Sequence, residues 1–309
     1  MKKYVYGFDV GGTTVKIGLF SLDGNLFKKW EIHTNTNNNG KNILSDIYKS
    51  IKSYKVSLDE VLGYGFGIPC QVMNGVILNS VNIGWKDYDL IKEFSKLVNN
   101  DFVLIENDAN AAALGETWMG AAKGHKNSVM ITIGTGVGGG IIVDSKVVDG
   151  VHGSGGEIGH IKVVHENGLR CNCGNYGCLE TIASATGIKN EFNRLLHTNK
   201  YETILKSKTK INAKMIFDAA KAKDPLSLKV VNKTAYYLGY VCQILSVVTN
   251  PSIIVIGGGV ANAGSFLIDK IRNEFQQLSF ETTKNTLIVH AELGNDAGIY
   301  GAASLVIND

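Results

Sequence analysis

The feature that most limits how this chain can fold is a short device that it carries twice. Tyr4–Asp9 is an apolar run ending in a carboxylate, followed by the turn Val10-Gly11-Gly12-Thr13-Thr14 and by Val15–Phe20, which alternates as a second strand. Such period-two patterning around a glycine turn predicts a hairpin. About half a chain later Val129–Ile133, Gly134–Gly140 and Ile141–Val143 repeat the order of strand, glycine-threonine turn and strand. One such turn is an ordinary hairpin signal. Two copies predict two related domains facing each other across a cleft, each offering backbone N–H groups and threonine hydroxyls to one polyphosphate. Gly11, Gly12, Thr13 and Thr14 make the first candidate anion loop, and Thr135 and Gly136 lie in the second. Asp9, at the strand end, is placed to hold Mg2+ through water. The G-x-x-x-x-G-K-[ST] pattern is absent, which excludes a Walker-type loop.

A second constraint lies in Gly155–Glu180, which gathers three of the five cysteines. Cys171, Cys173 and Cys178 have C-x-C-x4-C spacing, and Gly174 and Gly177 permit the tight turn that aims three sulfurs at one point. His160 closes a Cys3His tetrahedron, with His152 and His165 as competitors for the fourth place. Four protein ligands with no open position make a structural Zn2+ site. A disulfide fits poorly, since three clustered thiols leave one over. Glu157 and Glu180 are not needed by the metal; they read either as surface charges or as acceptors for the hydroxyls of a bound sugar.

Between these landmarks, Ile43–Tyr54 has helical spacing and Gly63–Ile68 reads as a strand entering a turn at Pro69. Asn79, Asn82 and Trp85 supply amides and an aromatic face near it, although loop asparagines mostly serve the backbone. Val103–Ile105 is a buried-type strand running into the alanine-rich segment 109–113, with Glu106, Asn107, Asp108 and Asn110 at the junction. Asp108 suits two roles, a helix N-cap or a base for a hydroxyl nucleophile. Helices are predicted near Ile188–Leu196, Leu226–Val248 and Asp296–Val306, the last small, apolar and tightly packed; Cys242 belongs to a core. Ile253–Ile256 leads into Gly257-Gly258-Gly259, a turn against which a flat nucleoside can lie.

The charge balance of 31 basic against 28 acidic residues, net +3, points to neither nucleic acid nor a membrane surface. No apolar stretch approaches the roughly 18 residues of a membrane helix, and the first apolar run is broken by Asp9 before it reaches signal-peptide length. The expected setting is the reducing cytoplasm.

Seven segments, DVGGTTVK (Asp9–Lys16), VNIGW (Val81–Trp85), ENDANAAALGE (Glu106–Glu116), GTGVGGG (Gly134–Gly140), GGEIGH (Gly155–His160), CNCGNYGCLE (Cys171–Glu180) and IGGGV (Ile256–Val260), together span nearly the whole chain. With them the chain resembles the ROK family of bacterial sugar kinases, and among these the ATP-dependent glucokinases. The resemblance implies an α/β, actin-like fold of the sugar kinase and heat-shock-protein ATPase type, with two duplicated domains of mixed sheets around a cleft. The expected division is residues 1–118 plus 296–309 as a smaller domain closed by the C-terminal helix, and residues 119–295 as a larger one.

It further implies Asp108 as general base, sugar contacts from Asn82, Asn107, Glu157, His160 and Glu180, and zinc on His160, Cys171, Cys173 and Cys178. ATP and Mg2+ would engage Asp9, Gly11, Gly12, Thr13, Thr14, Lys16, Thr135, Gly136, Gly257, Gly258 and Gly259. The implied reaction is phosphorylation of a hexose at its 6-hydroxyl, with another hexose such as N-acetylmannosamine, allose or fructose as the alternative to glucose. A homodimer or tetramer is implied as well. One departure stands out: Cys70 follows Pro69 where the family usually has glycine. A non-catalytic, sugar-responsive regulator is the reading from another class, opposed by the intact Asp108 and by a hairpin beginning at residue 4, which leaves no room ahead of it for a helix-turn-helix domain.

Overall fold

The tripeptide Tyr-Gly-Phe occurs twice, at 6–8 and 64–66, and the chain sets the two copies side by side. The computed structural model describes residues 1–73, 75–80 and 82–308; Val81 of the VNIGW segment and the terminal Asp309 lie outside them. Strands β1 (Tyr4–Val10), β2 (Thr14–Ser21) and β3 (Leu26–His33) form an antiparallel meander. After a helical turn α1 (Asn37–Gly40) and helix α2 (Ile43–Lys52), β4 (Val61–Ile68) returns parallel to β1, pairing Tyr6 with Tyr64 and Phe8 with Phe66. A small antiparallel sheet, β5 (Gln71–Met73), β6 (Val76–Ser80) and β7 (Trp85–Tyr88), precedes helix α3 (Leu90–Val98). Strand β8 (Val103–Asn107) then adds parallel to β4 and runs directly into helix α4 (Asp108–Met119).

The second half begins again with an antiparallel group, β9 (Ser128–Ile133), β10 (Val137–Val143) and the short β11 (Lys146–Val147). Helices α5 (Glu180–Ala183), α6 (Ala185–Leu196), α7 (Ala213–Lys221) and α8 (Pro225–Thr249) come next. Strand β12 (Ile253–Gly257) joins parallel to β9; helix α9 (Ser265–Leu278) and strand β13 (Leu287–His290), parallel to β12, complete the sheet. Helix α10 (Ala297–Ile307) ends the chain. The two five-stranded sheets have the orders β3-β2-β1-β4-β8 and β11-β10-β9-β12-β13. Each is therefore a meander extended by two parallel strands, so the duplication expected from the two glycine turns extends through both sheets.

Helix ends follow local chemistry. Asp224 accepts from the Ser227 N–H at 2.8 Å and Pro225 takes the first position of α8, while Asn250, at φ 45°, stops it. Ser184 caps α6 through the Gly187 N–H, so that helix starts at Ala185, ahead of the expected Ile188. Alternation puts the rings of Tyr6, Phe8, Tyr64 and Phe66 on one face of the first sheet, stacked with centroids 4.5 Å apart for Phe8 and Phe66, under Phe94 of α3. Such pairs contribute roughly 0.5–1.5 kcal/mol beyond their burial.

The opposite face is glycine. A Cβ on Gly7 would lie 2.1 Å from the carbonyl oxygen of Ile299, and one on Gly65 would lie 1.7 Å from that of Ala302, so α10 rests backbone against strand. The same economy joins α10 to α4, where a Cβ on Gly301 would be 1.6 Å from Ala111 O and one on Gly115 2.2 Å from Ala297 O. The closing helix expected from its small residues is thus present, one residue later than expected at each end. Cys242 is fully buried in the second core, as expected. None of the described helices is long and apolar enough to cross a membrane.

Gly65→Ala is expected to lose more than about 3 kcal/mol in urea denaturation, because the methyl meets backbone that cannot yield. Gly259→Ala, with nothing within 4 Å, should stay within about 1 kcal/mol of the parent.

Candidate active site

The strand ends of both sheets converge on one cavity of about 920 Å3. From the first half come Asp9, Lys16, Asn82, Asn107 and Asp108; from the second, Gly136, Glu157, His160, Glu180 and Gly258. The cavity thus brings together these ten residues singled out in the sequence, and with them Cys70, Asn79, Asn110 and Cys173. Gly11, Gly12, Thr13, Thr14, Thr135, Gly257 and Gly259 are not in its wall.

The β8–α4 junction decides which side chain is free. Asn107 is the N-cap: its Oδ1 accepts from the N–H groups of Ala109 at 2.8 Å and Asn110 at 3.2 Å. Its Nδ2 donates to the Cys70 carbonyl at 3.0 Å. The cap that Asp108 could have supplied therefore falls to its neighbour, and Asp108, the first helical residue, keeps its carboxylate at the cavity with one bond from the Ala109 N–H at 2.9 Å. Burial pushes the Asp108 carboxyl up to about 6; the negative charge of Asp9 adds to this and the local N–H groups oppose it. A half-buried carboxylate with a pKa just below neutrality is mostly ionised at pH 7 yet basic enough to take a proton.

Asp9 ends β1 beside Lys16, whose Nζ is 3.4 Å from Oδ2 and also donates to Asn295 O at 2.8 Å. Burial raises the Asp9 carboxyl and the Lys16 charge holds it back. The start of α10 presses on Asp9, since a Cβ on Gly298 would be 2.8 Å from its Cγ. Asn295 and Gly298 line the cavity and had no role in the sequence reading. Their position directly before and within the glycine-bearing start of the closing helix is the signal that points to them.

The hairpin tip is tied down by Thr34, which donates through Oγ1 to Gly11 O at 2.7 Å and through its N–H to Thr13 O at 2.9 Å. A Cβ on Gly12 would come within 3.3 Å of Asn82 O, so the tip touches the turn that carries Asn82. On the other side Gly258, at φ 85°, has no room for a side chain: a Cβ there would be 2.6 Å from Ile133 N and O. The turn after β12 therefore packs on the end of β9, where the second glycine-threonine turn begins. Thr186 donates to Thr135 O at 3.2 Å.

The four ligand atoms of His160, Cys171, Cys173 and Cys178 lie within 4.8 Å of one another. Cys171 Sγ is 3.6 Å from His160 Nδ1, and Cys173 Sγ is 3.7 Å from Cys178 Sγ. A tetrahedral ion with bonds of about 2.0–2.3 Å sets its ligand atoms about 3.5–3.8 Å apart, so the cluster fits a four-coordinate metal. The structure selects His160, and neither His152 nor His165, as the histidine of this cluster. Its other nitrogen, Nε2, lies 3.8 Å from Glu157 Oε2 in the cavity wall. Glu180 connects the clasp to the second glycine turn: Oε2 accepts from the Val137 N–H at 3.0 Å, and Oε1 lies 3.7 Å from Cys171 Sγ.

Two duplicated α/β halves around a polar cleft define the actin-like ATPase fold. Within that class the chain belongs to the ROK family, whose model matches residues 5–309. It is 41% identical to a glucokinase of Halalkalibacterium halodurans, covering 98% of this chain and 95% of that one. It is 36% identical to a glucokinase of Thermotoga maritima, covering 99% and 98%. Among solved structures it resembles a ROK family glucokinase from Streptomyces griseus in complex with glucose and AMPPNP, with a TM-score of 0.79, 31% identity, and coverage of 99% and 100%.

Purified protein is expected to carry close to one tetrahedrally bound metal ion per chain, and Cys173→Ser to lose it; elemental analysis without stoichiometric metal in the wild type would remove the clasp reading.

Proposed function

We propose that this chain is a hexose kinase that transfers the γ-phosphoryl group of ATP to the 6-hydroxyl of glucose. The observation that carries the reading is Asp108, a half-buried carboxylate freed from capping duty and facing a cavity lined by both halves of the chain. The likeness to two glucokinases over nearly the full chain supports glucose as the sugar.

Asp108 takes the proton of the 6-hydroxyl as its oxygen attacks the γ-phosphorus in line with the leaving ADP oxygen. Glu157, His160 and Glu180 on one wall and Asn82 and Asn107 on the other bind the remaining hydroxyls. Asn107, whose Oδ1 serves the cap, contributes the amide hydrogen of Nδ2 that Cys70 O does not use. The turns Gly11–Thr14 and Thr135–Gly136 hold phosphates, Lys16 adds the positive charge of the first wall, and Gly257–Gly259 lie against the nucleoside. Asp9 is the carboxylate suited to orient the water shell of Mg2+, a hard cation that neutralises phosphate charge when bound.

His160, Cys171, Cys173 and Cys178 would hold a structural zinc ion, and with Nδ1 of His160 on the metal its Nε2 would be left to donate to a sugar hydroxyl. Cys70 is buried in the cavity wall at the place of a family glycine, which makes it the side chain to watch for the choice of hexose. The reading includes a division into domains at residues 118 and 296, closure of the cleft on the substrates, and a cytoplasmic homodimer or tetramer.

With Mg-ATP and a panel of glucose, mannose, fructose, allose, N-acetylglucosamine and N-acetylmannosamine, a coupled assay should show the highest kcat/KM for glucose. Preference for another hexose would move the substrate, and sugar binding without turnover would overturn the kinase reading. Asp108→Asn should lower kcat by at least about a thousandfold while leaving sugar affinity within a few-fold. In the wild type kcat/KM should fall about tenfold per pH unit below a midpoint near 6, because protonated Asp108 cannot accept the hydroxyl proton.

A further inference from the structure

Glu106 takes no part in the chemistry derived above, yet it is a carboxyl group only 9% exposed at the centre of the junction that positions Asp108. Its Oε1 accepts from the Asn107 N–H at 2.7 Å and from Asn110 Nδ2 at 3.0 Å. The same Nδ2 reaches a second carboxylate, Asp149 Oδ1, at 3.3 Å, from the segment after β11 in the other half of the chain. Asn110 is 5% exposed, and its own Oδ1 has no hydrogen-bond partner. Turning the amide over would supply no donor to either carboxylate, so the orientation is held by the acids at the expense of an unpaired oxygen.

Asp149 also anchors the residues on its C-terminal side. Its carbonyl accepts from the Gly155 N–H at 2.7 Å, and a Cβ on Gly156 would meet Gly139 O at 3.0 Å and Asn110 Oδ1 at 3.4 Å. The segment from Asp149 to Gly156 is thereby seated against α4 and β10, and Glu157 is the next residue. We propose that Glu106, Asn110 and Asp149 form a latch between the two halves of the chain that positions Glu157, and with it the sugar-binding wall. This deepens the hexose kinase reading and rests on it for the identity of the ligand.

A proton on Glu106 strengthens the latch, whose second acid, Asp149, is open to solvent. The groups that face Glu106 are Asp149 from the latch segment, Asn110 from α4, and the Cys70 thiol from the turn after β4. Among the described residues neither Glu106 nor Asp149 has a salt-bridge partner. Two ionised carboxylates converging on one amide would repel, whereas a protonated Glu106 donates to Asp149. Burial raises Glu106 to about 7, and Asp149 is raised as well. Because the carboxyl is raised in the closed latch above the 4.5 of a free one, closure is favoured at acid pH, weakens as pH rises towards 7, and changes little above it.

The test compares wild type, Glu106→Gln and Glu106→Ala. Glucose Kd is measured by calorimetry between pH 5.5 and 8, and amide protection of residues 149–157 by hydrogen exchange without ligand. Glutamine keeps the accepting oxygen and donates to Asp149 without a proton to lose. It should match the wild type near pH 6 and hold its Kd flat, while the wild-type Kd rises several-fold towards pH 7. Glu106→Ala should weaken glucose binding about tenfold at every pH and lower protection of residues 149–157. The proposal is overturned if Glu106→Gln is as weak as Glu106→Ala, or if it keeps the wild-type pH trend. Should Glu106→Ala fail to fold, the glutamine comparison alone decides. A wild type without turnover on any hexose would defeat the kinase reading, and the exchange data would still judge the latch.

Discussion

Helix α10 touches the first sheet through its backbone, and the positions of the two aspartates in the cleft follow from that contact. Gly7 and Gly65 remove the side chains between the helix and the strands, and Gly301 and Gly115 do the same between α10 and α4. Two helices are thus held against β1 and β4 at a separation that side chains would forbid, and interiors packed at this density transmit small displacements instead of absorbing them. Asp9 at the end of β1, Asp108 at the start of α4 and Gly298 at the start of α10 then converge. The buried Glu116 reinforces the arrangement from the far end of α4 by accepting from the N–H groups of Ala121 and Leu293 at 2.8 Å. A chain terminus far away in sequence therefore sets the spacing of the two aspartates.

That spacing gives the cleft its electrostatic character. Asp9, Asp108, Glu157 and Glu180 share a cavity in which Lys16 is the only lysine or arginine among the described lining residues. Burial raises both aspartates; the charge of Asp9 raises Asp108 further, whereas Lys16 holds Asp9 back. A site left this acidic suits ligands that bring hydroxyl donors and a phosphate charge neutralised by a divalent cation. Burial likewise raises Glu106, which meets the solvent-exposed Asp149 through the Asn110 amide.

The second half contributes rigidity of another kind. Residues 155–180 have little regular structure of their own, and the Cys3His cluster brings their ends together. His160 and Glu180 each have one side towards the cluster and one towards the cavity. Glu180 also holds the Val137 N–H, so the clasp, the sugar-facing wall and the second glycine turn form one connected unit.

Much of this was legible in the chain itself, because glycine turns, strand alternation and cysteine spacing are local signals. The two hairpins, the closing helix, the Cys3His cluster and much of the cavity wall were all present in the pattern of residues. The strands β3, β5 to β7 and β13 were not, since edge and small-sheet strands bury too little to show clean alternation. Neither was the Glu106–Asn110–Asp149 group, whose members come from segments distant in sequence. Local sequence determined which residues could carry the chemistry: a carboxylate after a strand, three thiols beside a histidine, glycines at two turns. Only the tertiary structure decided that Asn107 would cap α4 and Asp108 stay free, that His160 would join the thiols, and that Glu106 would meet an acid. These choices depend on which atoms are brought within 4 Å by packing, and packing is a property of the whole chain.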